Sequence, residues 1–163
     1  MRLSKSETGK VVSTTLTRGN YTDAYTALDV VSNSTTVPTC LTFTNVGTDN
    51  DVLCVLGARM LVAVNAVPSG CTGFRLHLYN ASPTAIADNA AYNLPAGDTG
   101  KYQGYIDFPA PIDLGDNIWA QGDSVNITIK LSGTSLYGIL QTIGAYTPSA
   151  SVVKTISLVV AGV

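Results

Sequence analysis

Charge is what this sequence has least of. Only 12% of its 163 residues are Asp, Glu, Lys or Arg, about half the usual quarter. Nine basic residues face eleven acidic ones for a net charge of -2, which leaves no cationic footprint for gripping nucleic acid or an anionic membrane. One histidine, His77, and one glutamate, Glu7, complete the scarcity. A single histidine with no close cysteine pair excludes the common zinc sites, so no metal is expected. Glu7 stands against ten aspartates; Glu favours helices while Asp favours turns and caps, so the imbalance argues for strands joined by tight turns. No apolar run reaches the roughly twenty residues that cross a bilayer, the longest being residues 52–67 and 156–163. Residues 1–10 have charges but no apolar core or small-residue cleavage site, so no signal peptide is expected there. Cys40, Cys54 and Cys71 are odd in number and too far apart for a Cys-x-x-Cys pattern. They read as free thiols buried on strands in a reducing compartment.

What is present is apolar and β-branched. Hydrophobic residues make up 45% of the chain, which excludes disorder. The length fits one domain with one core. Residues 10–17, 40–44, 74–79 and 125–131 alternate inward and outward positions as half-buried strands do, and 102–108 reads as another strand. In residues 74–79 the inward set is Phe74, Leu76 and Leu78, with Arg75, His77 and Tyr79 on the other face. Residues 52–67 read as a long central strand with a bulge or kink at Gly57. Residues 22–31 favour extended structure, and 136–146 and 152–160 complete a set of eight to ten strands. Residues 80–100, with Pro83, Pro95, Gly97 and Gly100, read as a long connection with one helical turn, crossing between two sheets. The expected fold is an all-β antiparallel sandwich, jelly-roll-like, over residues 11–163, preceded by a short flexible arm at 1–10.

The residues that could carry chemistry are few. His77 sits on the outward strand face with no Gly-x-Ser-x-Gly elbow anywhere, and reads as a solvated or interface histidine. Asp107, Asp113 and Asp116 lie among Pro and Gly in turns, not as the separated carboxylate pair of a glycosidase. Asp49-Asn50-Asp51 lacks the glycine and distal Glu of a calcium loop. No phosphate-binding glycine loop occurs, so neither cofactor nor enzymatic activity is expected. Tyr21 and Tyr25, and Tyr102 and Tyr105, are paired aromatics that could stack on a sugar or cover a subunit contact. With Arg75 and His77 they form the candidate interface set, tyrosine being favoured at interfaces. The surface arithmetic agrees: roughly 7,700 Å² of accessible surface shared among so few charges is neutral enough to be covered by neighbours.

The stretch Phe74-Arg75-Leu76-His77-Leu78-Tyr79-Asn80-Ala81-Ser82-Pro83-Thr84, continuing through Asp88-Asn89-Ala90-Ala91-Tyr92 to Tyr105-Ile106-Asp107-Phe108, resembles small virion-associated proteins of tailed bacteriophages. Leu136-Tyr137-Gly138 and Tyr146-Thr147-Pro148-Ser149-Ala150 are similar to the same group. The resemblance spans most of the chain and implies a structural role, a head decoration (cement) protein of jelly-roll type. It implies the major capsid protein as partner, a homo-oligomer, trimeric, and a place on the capsid surface after assembly in the host cytoplasm. A tail-fibre or carbohydrate-binding module is the alternative. No binding residue carries over from it.

Overall fold

The computed structural model describes residues 9–123 and 125–163. Eleven strands occur among them: β1 Lys10–Thr17, β2 Val30–Val31, β3 Leu41–Phe43, β4 Val52–Val62, β5 Phe74–Tyr79, β6 Tyr102–Phe108, β7 Ile112–Asp113, β8 Ile118–Gly122, β9 Ile127–Lys130, β10 Leu136–Thr142 and β11 Val153–Gly162. A single 3-10 turn at Ala96–Asp98 is the one helical element among the described residues. Residues 1–8 of the arm expected over residues 1–10 lie outside the described residues; Lys10 already belongs to β1.

Two antiparallel sheets stack face to face. The first runs β1-β11-β4-β8-β7, with β9 also on β4; the second runs β2-β10-β5-β6, with β3 also on β10. β8 and β9 follow one another along β4, against Ala58 to Val62 and Val52 to Val55 respectively. β2 and β3 do the same along β10. Counted by position, the first sheet has five strands and the second four, and the chain passes from sheet to sheet except between β2 and β3, between β5 and β6 and within the β7–β9 edge. That winding is a jelly roll.

The alternation seen in the sequence becomes burial. Val12 and Leu16 of β1, Ile156, Leu158 and Val160 of β11, Val55, Met60 and Val62 of β4, and Phe74, Leu76 and Leu78 of β5 all enter one core between the sheets. The irregularity expected at Gly57 is present. Val159 of β11 pairs with Gly57 and Val160 with Val55, so Leu56 is the extra residue of a bulge. A Cβ at Gly57 would lie 2.9 Å from the Gly122 carbonyl oxygen, so only glycine allows β8 to close in there.

The connection between β5 and β6 departs from expectation. It does not cross between sheets, because β5 and β6 are paired neighbours in the same sheet. Residues 80–101 instead leave and return to one sheet, closed by the Asn80 N–H donating to the Lys101 carbonyl at 3.0 Å. The long loop folds back over the outer face of that sheet. Residues 22–31 are extended only in part: a turn at Ala27 and Leu28, where Leu28 has φ 72°, breaks them, and they enter the ladder only through single bridges at Tyr25 and Asp29 and the two residues of β2. Cys54 is on a strand and half-buried, Cys40 precedes β3, and Cys71 is buried in a loop; all three are free.

Candidate interaction surfaces

The six candidate interface residues fall into two groups. Arg75, His77, Tyr102 and Tyr105 gather on the outer face of the second sheet. Tyr21 and Tyr25 lie together with Arg18 at the end of β1.

His77 is not solvated. It is 4% exposed, with its ring stacked on Tyr92 at 3.8 Å between centroids and nearly coplanar at 6°. Tyr92 comes from the connection, so what was read as an open strand face is covered by the chain's own loop. Alternation assigns a side chain to a face; it does not say whether a later segment roofs that face. Hydrogen bonds fix the ring's state. Gln141 Nε2 donates to the Leu28 carbonyl at 2.7 Å, which leaves Gln141 Oε1 as the acceptor for His77 Nε2–H at 3.0 Å. Nδ1 of the neutral ring then accepts from the Tyr102 hydroxyl at 3.2 Å. Burial, with Arg75 adding to it, pushes the imidazole below its ordinary range, against the Gln141 bond and the Asp107 charge. Tyr79 and Tyr92 share a hydroxyl contact of 2.8 Å, and Val30, Tyr79 and Ile139 form a second small core with Tyr92, Leu94, Tyr102 and Ile86 around it.

Tyr105 remains outside this roof at 47% exposed. One side of its ring is occupied by the Arg75 guanidinium, 4.0 Å from the centroid. Arg75 in turn holds Asp107 in a fork, Nε to Oδ1 at 2.7 Å and NH2 to Oδ2 at 2.9 Å. This is a cross-strand ion pair with a stacked aromatic, well suited to knitting β5 to β6. It accounts for Asp107, whose carboxylate is engaged structurally. Asp113 likewise accepts the Gly115 N–H at 2.7 Å, and Asp51 accepts from Thr48 N–H and Oγ1, as turn aspartates do. Among the described residues no group of three His, Cys, Asp or Glu side chains could hold a metal.

Tyr25 is also interior, at 1% exposed, and so is unavailable to a partner in this fold. Its hydroxyl donates to Asp88 Oδ1 at 2.7 Å and accepts from Arg18 Nε at 2.7 Å. Arg18 Nε also donates to Asp88 Oδ2 at 3.0 Å, and its guanidinium reaches the Tyr21 and Asp23 carbonyls. Asp88 receives a further bond from the Ser32 N–H at 2.9 Å. Arg18 and Asp88 are both sealed from solvent. Burial and the Asp88 carboxylate hold the Tyr25 hydroxyl far above its ordinary range. Lys154, at an inward position of β11 opposite Leu16 and Val62, adds a second buried cation beside this network. Burial, then the Arg18 charge, lowers its ammonium to about 8. The apolar cavity it lines with Cys71, Phe74 and Tyr146 measures about 10 Å³, room for one water at most. Arg18, Gln141 and Lys154 escape sequence reading because nothing local marks a charged or amide residue as buried, whether between the sheets or under the roof. The inward phase of β11, with Lys154 between Val152 and Ile156, is the one available signal.

Among the described residues nothing roofs the outer face of the first sheet. Its outward residues form rows across the strands. One row runs Thr15, Thr155, Leu61, Trp119 and Ile112; the next Ser13, Ser157, Arg59 and Gln121; the third Val11, Val159 and Gly57. Val11 is 56% exposed and Ile112 58%. Arg59 is the one charge within these rows and joins none of the three ion pairs found among the described residues.

No protein-family model matches the sequence, and no curated protein matches it. Among solved structures the chain is similar to one from the cyanophage Pam1 capsid asymmetric unit, with 10% identity and a TM-score of 0.38 over 99% of this chain and 89% of that one. It is similar to the decameric BFDV capsid protein at 11% identity and a TM-score of 0.38, over 96% of this chain and 99% of that one. A chain of the Kashmir bee virus empty particle at acidic pH gives 20% identity and a TM-score of 0.33, over 100% of this chain and 96% of that one.

Proposed function

We propose that the chain is a structural virion protein that decorates a phage head, binding the lattice of the major capsid protein at the capsid surface after assembly in the host cytoplasm. The observation that carries this reading is where the residues of the phage resemblance lie. Phe74 to Tyr79 are β5, Asp88 and Tyr92 anchor the roof over the second sheet, Tyr105 to Phe108 lie in β6, and Tyr146 packs against Phe74 with ring centroids 6.0 Å apart. What the resemblance shares is therefore a framework rather than a reaction centre. A neutral framework with one open sheet face suits a part whose task is to be held by neighbours.

The test is to mix purified protein with undecorated heads at micromolar concentration and sediment them. Co-sedimentation that saturates at a fixed ratio to the major capsid protein is expected; protein left wholly in the supernatant sinks the reading. The exposed Tyr105, braced by Arg75 and Asp107, favours a second reading as a carbohydrate-binding or tail-fibre module. Glycan-array binding that disappears in Tyr105→Ala would move the assignment there. Homo-oligomerisation belongs to the first reading, with a trimer as the state implied by the phage resemblance.

A further inference from the structure

We infer that the open outer face of the first sheet is an interface between two copies of this chain, packed face to face about a two-fold axis. Burial assigns the face to a partner of like character. Leu56, Val11 and Ile112 are outward and exposed on it, Trp119 and Leu61 are only half-covered, and the remaining outward positions are chiefly Ser and Thr. Such a mixture packs well against another neutral sheet about 10 Å away, and poorly against a strongly charged surface.

Its charges are self-complementary. Arg59 lies beside Gln121 in the strand register, and the Gln121 amide donates to Asp123 Oδ1 at 2.5 Å. Asp123 stands over the side-chain-less position of Gly57, where an added Cβ would come 4.0 Å from Asp123 Oδ1. Arg59, in no ion pair among the described residues, thus sits a row from the exposed Asp123 carboxylate, while Lys130, opposite Val52 at the start of β4, is a second cation at the far end of the same face. In an isologous contact residue i meets j of the other copy and j meets i, so Arg59 of each copy meets Asp123 of the other, twice. Among the described residues a single copy uses neither charge in an ion pair.

The area is adequate. The twelve outward positions of the three rows, each covering about 4.8 Å across the sheet and about 6.6 Å along the strand, give a footprint of roughly 380 Å² before side-chain relief. Side-chain relief and the flanking turns bring it toward the roughly 600–1,000 Å² per partner of a stable interface. The two ends of the sheet set its limits: β1 is an edge strand on one side and the short β7 on the other.

Sedimentation equilibrium of the purified chain over a range of micromolar concentrations tests this. The expected species has twice the 17.0 kDa chain mass, in place of the trimer that the phage resemblance implies. Arg59→Asp should weaken the dimer by roughly a hundredfold, the scale of losing one member of a desolvated interfacial charge pair. Leu61→Asp should give monomer. The exchange Arg59→Asp with Asp123→Arg should restore association, an outcome that a folding defect cannot produce. A wild-type monomer or trimer, or a dimer indifferent to all these changes, overturns the inference. Head binding is read separately: a monomer that co-sediments with heads leaves the virion reading intact, and a dimer that does not leaves the interface intact.

Discussion

The two sheets of this sandwich begin from the same strand chemistry and end with opposite outer faces. On the second sheet, residues 80–101 lie over β5, β6 and β10, turning His77, Tyr79 and Ile139 into a small interior. On the first, Val11, Ile112 and Leu56 stay in solvent. The difference lies in connection length. A 22-residue return between adjacent strands has enough chain to cover its own sheet, but ordering it costs on the order of 1–2 kcal/mol per residue. That cost is met by anchors: Asp88 on Arg18 and Tyr25, Tyr92 on His77 and Tyr79, and Asp98 on Thr84 N–H and Lys101 Nζ at 2.8 and 2.7 Å. Over the first sheet no such loop lies among the described residues, and the inferred second copy is what would cover it.

Removing the deepest anchor is the strongest way to break the contrast. Asp88→Ala leaves Arg18 and Lys154 as buried cations with no carboxylate, which costs about 3–5 kcal/mol when one member of a buried pair is lost. Urea denaturation should show that loss, and limited proteolysis should find cleavage within residues 80–101 before the rest of the fold. A change under about 1 kcal/mol would mean the roof is held elsewhere.

Lys154 sharpens the same point from below. Its ammonium is lowered to about 8 against about 10.4 when unfolded. A base with a depressed folded value destabilises the fold while it is charged, so the penalty is full below pH 8 and fades as pH rises toward 10.4. Lys154→Met should therefore stabilise the protein by on the order of 3 kcal/mol at pH 7. The gain over wild type should shrink by pH 10. Equal gains at both pH values would show that the amine is not the source.

Most of the architecture was legible because it is periodic. The inward sets of β1, β5 and β9 and the bulge at Gly57 follow from alternation and from a glycine inside an apolar run. The open face was legible as a whole, since scarce charge has to leave some surface neutral. The roof was not. Proline and glycine in residues 80–101 mark a loop without saying where it lies, so His77 and Tyr25 read as surface and are interior at 4% and 1%. Long-range partners such as Arg18 with Asp88, seventy positions apart, leave no local trace. Of the six candidate interface residues, Arg75 and Tyr105 kept their surface character in part, partly open to solvent and bound to each other.

A paired substitution tests the contrast directly. Tyr92→Ala removes a ring stacked on His77 and a hydroxyl contact to Tyr79, and should cost about 2 kcal/mol, below the 3–5 of a fully buried aromatic. Leu56→Ser on the open face should change the stability of the isolated monomer by no more than about 0.5 kcal/mol. Thermal melts at a concentration below dimerisation compare the two. Similar losses would mean that the faces are energetically alike and the roof only decorative.

The smallest effect concerns protonation under the roof. The groups facing His77 are Tyr92 from the connection, Tyr102 and Tyr105 with Asp107 from β6, Arg75 on its own strand and Gln141 from β10. Burial lowers the imidazole's folded value below the roughly 6.5 it has in an unfolded chain. The unfolded state therefore takes up the proton first, and stability, full above pH 6.5, declines as pH falls from there and levels off once the folded ring is also charged. Asp98, held at about 2 by Lys101 and the Thr84 N–H, loses its contribution only below about pH 3.9, so the interval from pH 6.5 to 5 isolates the histidine. In that interval wild type should lose stability in urea titrations while His77→Gln stays flat, because glutamine keeps a donor toward Gln141 but has no proton to gain. A parallel decline in both proteins would place the acid sensitivity outside the roof and remove the one pH-dependent difference between the two faces.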